Sequence, residues 1–249
     1  MDPLTTTAAA GMRARLETLD LLANNLANIS TPGFKADREA YTLYMAEESV
    51  VAAELGGIPQ VTAPMIETNR TDYSQGLLTP TGSGTDLALS GKGFFQVDGP
   101  NGPLITRNGK IQVSRDGRLT TQDGYELATI EPRRIRLNPE LPFSVDPDGT
   151  VRQDGADMGR LKLVDMSADV QTARREGVYF SLDTRDLPKL SPARPEIRQG
   201  SLESSNFSAA EAAVKLVGVL RQFEALQRAS QLGAEMGRRA IEEVARVTS

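Results

Sequence analysis

Gly91-Lys92 is the kind of pair that could cradle a phosphate, with backbone N–H groups turned inward and a lysine reaching the charge. Such a loop needs a glycine five residues earlier and a Ser or Thr after the lysine to hold magnesium; Asp86 and Gly93 stand in those places. Gly82-Ser83-Gly84 could open a dinucleotide site, but it lacks the third glycine and the strand-to-helix setting, and reads as a glycine-rich strand entry. Asp146-Pro147-Asp148-Gly149 resembles the start of a calcium loop, yet Pro147 between the acids suits a hairpin turn better than a ring of oxygen ligands. Carboxylate pairs for glycoside hydrolysis could be drawn from many Asp and Glu residues, and nothing in the sequence singles out two. The chain has no Cys and no His, which removes the commonest nucleophile, the commonest general base and most zinc ligand sets together. No catalytic, cofactor or metal site is expected, and an enzyme is not the reading.

Lys and Arg number 28 against 33 Asp and Glu, with the signs interspersed, so the clustered basic surface of a nucleic-acid binder is missing. Aromatics are 5% and Trp is absent, which leaves few stacking platforms for bases or sugars. The start, Met1-Asp2-Pro3-Leu4-Thr5, has no basic segment ahead of an apolar stretch, and no apolar run approaches the ~20 residues that cross a bilayer. No cleaved signal peptide and no membrane insertion are expected. A chain without Cys suits a protein exported unfolded, since it carries no thiol to oxidise on the way.

With no chemistry to position, the patterning itself becomes the signal. Asp2-Pro3 suits an N-cap and first turn, and Met12, Leu16, Leu19, Ala23 and Leu26 follow at spacings of four, three, four and three along one helical stripe. Ser30-Thr31-Pro32-Gly33 ends it, predicting a helix over Pro3 to Asn28. Ser208-Ala209-Ala210-Glu211 reads as a capping box opening a second helix over Ala209 to Val247. Its stripe runs Ala213, Leu216, Leu220, Phe223, then shifts to Leu226, Ala229, Gly233, Met236, Ala240, Val244 and Val247. At about 58 Å, such a helix needs partners. Ordinary core helices of one globular domain would also show such stripes. Their place at both extremes favours two helices that pack on each other as an antiparallel coiled coil and offer surplus apolar surface to neighbouring copies.

Between them, from about Gly76 to Gly200, the helical period gives way to short apolar runs and turn dipeptides, the pattern of an antiparallel barrel or sandwich. Leu87, Leu89, Phe95 and Val97 share a face, with Gly91 and Gly93 where strands cross closely. Ile111 and Val113, Asp116-Gly117, then Leu119 make a hairpin, and Asn108-Gly109, Asp123-Gly124 and Asp148-Gly149 repeat the turn signal. Leu161 and Leu163 alternate with Arg160 and Lys162 as in a half-exposed strand, and Val178 to Leu182 is another. Gln75-Gly76-Leu77-Leu78 is echoed by Gln199-Gly200-Ser201-Leu202, as though two segments cross side by side where the β region begins and ends. The fold class is therefore α+β, divided into an N-terminal assembly helix (1–33), an extended linker or hairpin region (34–75), a central β domain (76–200) and a C-terminal assembly helix (201–249). Asn24, Asn25 and Asn28 cluster before the first helix stop, where Asn can cap local backbone or hydrogen-bond between subunits.

The string Ala23-Asn24-Asn25-Leu26-Ala27-Asn28-Ile29-Ser30-Thr31-Pro32-Gly33-Phe34-Lys35 closely resembles the N-terminal signature of the flagellar rod and hook protein family. Asp86 to Val97, Arg107-Asn108-Gly109 running to Asp123-Gly124-Tyr125, and Gln199-Gly200-Ser201-Leu202-Glu203-Ser204-Ser205-Asn206 resemble the same family in order, over nearly the whole chain. Gly159 to Val164 and Arg221-Gln222-Phe223-Glu224 look more like the proximal rod subunit, whereas Gln227-Arg228-Ala229-Ser230 departs from the distal-rod pattern. The resemblance implies passage through the flagellar type III export apparatus and assembly in the periplasm, with copies of itself and other rod subunits, into a helical rod that transmits torque. The residues offered for that interface are Met12, Leu16, Leu19, Ala23, Asn24, Asn25, Leu26, Asn28, Leu216, Leu220, Phe223 and Leu226. A distal-rod or hook-related subunit is the nearest alternative, and a coiled-coil-stalked β adhesin is the alternative of another class.

Overall fold

The computed structural model describes residues 3–45, 61–132, 134–167, 170, 172–182 and 185–247, with side chains over 7–39, 70–132, 134–167, 170, 172–182 and 185–239. Asp2, expected as a cap, and the side chains of Ala240, Val244 and Val247 fall outside these sets. The chain forms two compact units, one drawn from Met1–Ala27, Asp37–Asp72 and Ser208–Ser249, the other from Asn28–Ala36 and Tyr73–Phe207.

The first unit holds helices α1 (Pro3–Ala27) and α2 (Ala209–Val247) and the antiparallel strands β1 (Asp37–Met45) and β2 (Val61–Thr71). Ser208 caps α2, its hydroxyl accepting the Glu211 N–H at 3.1 Å. The Glu211 carboxylate reaches Lys215 and Arg38, and the Lys215 contact foremost holds its pKa below the usual range. α1 packs along α2. Their sense follows from two contacts: Asn25 bonds Asp37, whose neighbour Arg38 pairs with Glu211, while Gly11 lies against Leu226. Going down α1 from residue 25 to 11 is going up α2 from 211 to 226, so the helices run antiparallel.

The second unit is built from antiparallel strands. Its main sheet contains β5 (Phe94–Gly99), β6 (Gly102–Thr106), β7 (Ile111–Val113), β8 (Leu119–Thr121), β9 (Glu126–Leu127), β14 (Thr172–Arg175) and β15 (Tyr179–Leu182), in the order β14-β15-β6-β5-β9-β8-β7. β13 (Leu163–Met166) joins it through β5 and carries β16 (Leu190–Pro192). Strands β10 (Phe143–Val145), β11 (Thr150–Gln153) and β12 (Ala156–Arg160) form a separate meander, and β4 (Leu87–Ser90) pairs with β17 (Glu196–Gln199). The echoed segments do lie side by side: β3 (Leu78–Pro80) pairs with β18 (Ser201–Glu203) in the register Leu78↔Glu203.

Phe94, Ile105, Val164 and Phe180 form a buried cluster, with Tyr73 set edge-on to Phe94 and Phe180 at centroid distances of 5.5 and 5.2 Å. Each fully buried side chain of this size is worth about 1.5–3 kcal/mol, and each edge-on ring pair adds about 0.5–1.5. Leu161 and Leu163 are buried while Arg160 and Lys162 are exposed, as their alternation predicts.

Asp116-Gly117, Asp123-Gly124 and Asp148-Gly149 are hairpin turns, each Gly at positive φ. Asn108-Gly109 is not. β6 and β7 on either side of it do not pair, and Gly109 lies under Leu87, whose N–H donates to the Gly109 carbonyl at 2.9 Å. A Cβ at this position would stand 1.7 Å from the Leu87 oxygen, so the glycine serves a backbone crossing and not a turn. In the Asp116 turn, the Ser114 hydroxyl and then the Arg118 guanidinium, both at 2.6 Å, hold the Asp116 carboxyl down to about 2. That contribution is complete above the ordinary carboxylate range and is lost as pH falls through about 2. Ser114→Ala is expected to return the Asp116 titration toward the ordinary range by carboxyl NMR, and an unmoved titration would show that the hydroxyl is not the cause.

Candidate functional site

Each terminal helix carries two stripes. On α1, Ala8, Gly11, Arg15, Thr18, Leu22 and Asn25, spaced three, four, three, four and three, are buried or half-buried. On α2 Ala212, Val219 and Gly233 are buried, and half-buried Leu226 falls in step with them at intervals of seven. The small residues let the axes approach: a Cβ on Gly11 would already lie 3.1 Å from both methyls of Leu226.

The stripe read from the sequence on α1 is displaced from the enclosed one by a single residue, about 100° around the helix. Met12 and Leu19 are half-buried and Ala23 is exposed, and Leu16 and Leu26 remain 51% and 46% exposed. On α2, Leu216 and Leu220 are 40% and 45% exposed, while Phe223 and Leu226 are half-buried. Val214, Val217, Leu232 and Met236 are exposed too, Val214, Leu232 and Met236 across the helix from Leu216 at about 100° per residue. The two helices thus use one stripe on each other and present a second to solvent.

The three Asn residues have separate placements. Asn24 is exposed. Asn25 is buried, its amide donating to the Asp37 carbonyl at 2.8 Å and its oxygen accepting the Asp37 N–H at 3.0 Å, which pins the start of β1 to α1. Asn28 is half-buried and accepts the Thr31 hydroxyl and N–H in the turn after α1. Asn25→Ala leaves both Asp37 backbone groups without these partners and is expected to destabilise the helical unit by about 1–3 kcal/mol. A helical circular-dichroism melt identical to wild type would refute that.

Sequence reasoning missed a second feature. In the β unit the side chains of Lys35 and Glu203 are fully buried, with Nζ 2.6 Å from Oε1, and buried Arg107 places NH1 3.0 Å from Oε2 of the same carboxylate. Lys35 also donates to the Ser74 carbonyl, Arg107 to the Leu89 and Gly91 carbonyls, and the Gly76 N–H to Glu203. The segment bearing Lys35 is held further by Gly33 N–H on the Glu203 carbonyl, Ala36 N–H on Asn206, and Arg174 on the Lys35 carbonyl. The Arg174 guanidinium lies over the rings of Phe34 and Phe180. The available signal was a charged residue inside each of three family-like strings.

The motifs weighed for chemistry are turns and crossings. Gly91 donates its N–H to Gln75, and Asp146 and Asp148 pair with Arg152 and Arg160. Among the described residues no three acidic side chains converge as a metal site would require, and no helix is long and apolar enough to cross a membrane.

Comparison with known proteins gives the same direction for the N-terminal segment and for part of the β unit. Residues 6–35 match the family described as flagella basal body rod protein, and residues 88–153 match the flagellar hook protein FlgE/F/G D1 domain. The chain is 31% identical over 230 residues to the flagellar basal-body rod protein FlgF of Caulobacter vibrioides, covering 92% of each. It is 28% identical over 231 residues to the flagellar basal-body rod protein FlgG of Buchnera aphidicola subsp. Schizaphis graminum, covering 86% of this chain and 89% of that one. With the FlgG of Bacillus subtilis it shares 27% identity over 209 residues, covering 81% and 74%.

Proposed function

Since the chain belongs to the flagellar basal-body rod protein family, we propose that it is a structural subunit of the rod, joining copies of itself and other rod subunits through the outer stripes of α1 and α2. The observation that carries this reading is the row of exposed aliphatics, Leu16 and Leu26 on one helix and Leu216 and Leu220 on the other, beside stripes already used within the chain. A single antiparallel pair satisfies one seam per helix, and a helical polymer satisfies the second. The spacing of buried Ala212, Val219 and Gly233 by multiples of seven favours coiled-coil packing of the pair, because a heptad repeat keeps one seam facing its partner. A polymer held by long helices along its axis can carry torque. The proximal part of the rod is the position we assign, on the likeness of Gly159 to Val164 and Arg221 to Glu224 to that branch. Passage through the type III export apparatus to the periplasm is part of the same reading, and the subunit performs no catalysis.

The natural chain has no Cys, so Leu16→Cys or Leu216→Cys introduces one addressable thiol. In basal bodies isolated from cells making either variant, a thiol-to-lysine crosslinker of short reach is expected to join this subunit to adjacent subunits from both positions. Rods that incorporate the variants yet give no crosslink from either would remove these stripes from the interface.

A further inference from the structure

We propose that two copies of this chain join head to tail, a shared apolar face of α1 and α2 in one copy packing on the far flank of α2 in the next; this rests on the reading of the chain as a rod subunit. The outer stripe of α1 follows the enclosed one by a single residue, Leu16 after Arg15 and Leu19 after Thr18, and on α2 Leu220 follows Val219 in the same way. Such a step turns about 100° clockwise when a right-handed helix is viewed from its N-terminus. Because α1 and α2 run antiparallel, the two steps turn in opposite senses when seen from one end. With the seams facing each other, both stripes therefore emerge on the same side of the pair. The contact of Gly11 with Leu226 brings Leu16 level with Arg221, so Leu16 and Leu220 stand level to within a residue and form one face two helices wide.

The second apolar flank of α2 lies the other way round, since Leu232 precedes buried Gly233 by one residue, and Val214 and Met236 share its side. This flank is low at its centre. Ala225 is exposed, and nothing lies within 4 Å of where a Cβ on Gly218 would stand. On the matching side of α1, Leu21 is already buried, and α1 packs on β1 and β2 as well as on α2. The first face is thus broad with large aliphatics at its middle, and the second is narrow with small residues at its middle. A two-fold pair would join like to like and leave the other face of both copies open. Head-to-tail contact uses both faces and continues from copy to copy. The occupant is a second copy because the chain itself carries both halves of the contact.

The natural chain has no thiol, so a short bis-maleimide reports only on introduced ones within it. It is applied to basal bodies from cells making Leu16→Cys, Ala225→Cys, both variant chains together, or one chain with both changes. Neither variant alone is expected to give dimers of the chain, the mixture should give dimers joined through positions 16 and 225, and the doubly changed chain should give a ladder beyond dimers. Dimers from Leu16→Cys alone would show a two-fold contact and overturn the proposal while the rod reading stands. Mixed rods without dimers, in which the thiol-to-lysine reagent still joins these positions to other subunits, would overturn it in the same way. Incorporated variants that crosslink to nothing with either reagent would overturn the rod interface along with it. Should Leu16→Cys fail to incorporate, Ala23→Cys on the same face takes its place. Gly218→Leu supplies an independent readout: it is expected to lower incorporation about tenfold or more by filling the low flank, with a helical melt no lower than wild type because glycine is the poorer helix former. Wild-type incorporation of Gly218→Leu would overturn the use of this flank.

Discussion

Leu220→Asp is expected to abolish incorporation of the subunit into rods, and with it motility, while the isolated chain melts within about 1 °C of wild type. Leu220 is 45% exposed, so a carboxylate there stays hydrated in the single chain and costs little. In the assembly the same carboxylate would enter an apolar packing layer, a transfer costing several kcal/mol, and ~4 kcal/mol already weakens association about a thousandfold. A rod repeats the contact at every subunit, which compounds the loss. The adjacent position is the control. Val219 is buried, and Val219→Asp is expected to lower the melting temperature of the helical unit through a charge in the α1–α2 seam. Two neighbouring substitutions of one chemistry would thus separate assembly from folding. Full motility with Leu220→Asp would refute the role of the outer stripe, and a collapsed melt would refute its exposure.

Gly109→Ala should produce the largest loss in the β unit from a single methyl. The added Cβ would lie 1.7 Å from the Leu87 carbonyl oxygen and 2.6 Å from its carbon, both backbone atoms that no rotamer change can move aside. Relief requires shifting the start of β4, and with it the bonds that tie Leu87 to Gly109 and Gln199. A backbone clash of this kind sits at the upper end of overpacking costs, about 3 kcal/mol or more, or about 10 °C for a unit of this size. Gly124→Ala offers the contrast, because nothing lies within 4 Å of its Cβ and only the positive φ opposes the change. If the two variants melt together, the crossing at Gly109 is not the constraint described.

The helices were legible because period and punctuation agree: Pro3 opens α1, Ser30 to Gly33 stops it, and Ser208 caps α2. The sequence stripe of large aliphatics, however, is not the stripe the helices turn toward each other. The enclosed seams mix Leu22 and Val219 with Ala8, Gly11, Thr18, Ala212 and Gly233, small residues that permit close approach, while Leu16 and Leu220 are left outside. Counting apolar residues finds the outer surface and only part of the inner one, Leu226 and Gly233.

In the β unit, Asp-Gly pairs announced turns correctly, because those positions need positive φ that the local sequence alone can supply. Asn108-Gly109 has the same composition and a different cause, a backbone crossing set by residues some twenty positions away, which no local pattern encodes. The Lys35–Glu203–Arg107 cluster was hidden for a related reason. Charged side chains ordinarily signal surface, and only the approach of three segments far apart in the chain makes their burial possible. The echo of Gln75-Gly76 and Gln199-Gly200 was a second trace of that approach, and β3 and β18 do pair there.

As a rod subunit, this chain is needed for the rod itself, and electron microscopy of basal bodies from cells lacking it shows whether that is so. The expected structures stop at the rod, without hook or filament, and are completed when the wild-type chain is restored but not when Leu220→Asp is supplied. Complete hooks and filaments in cells lacking the chain would contradict it.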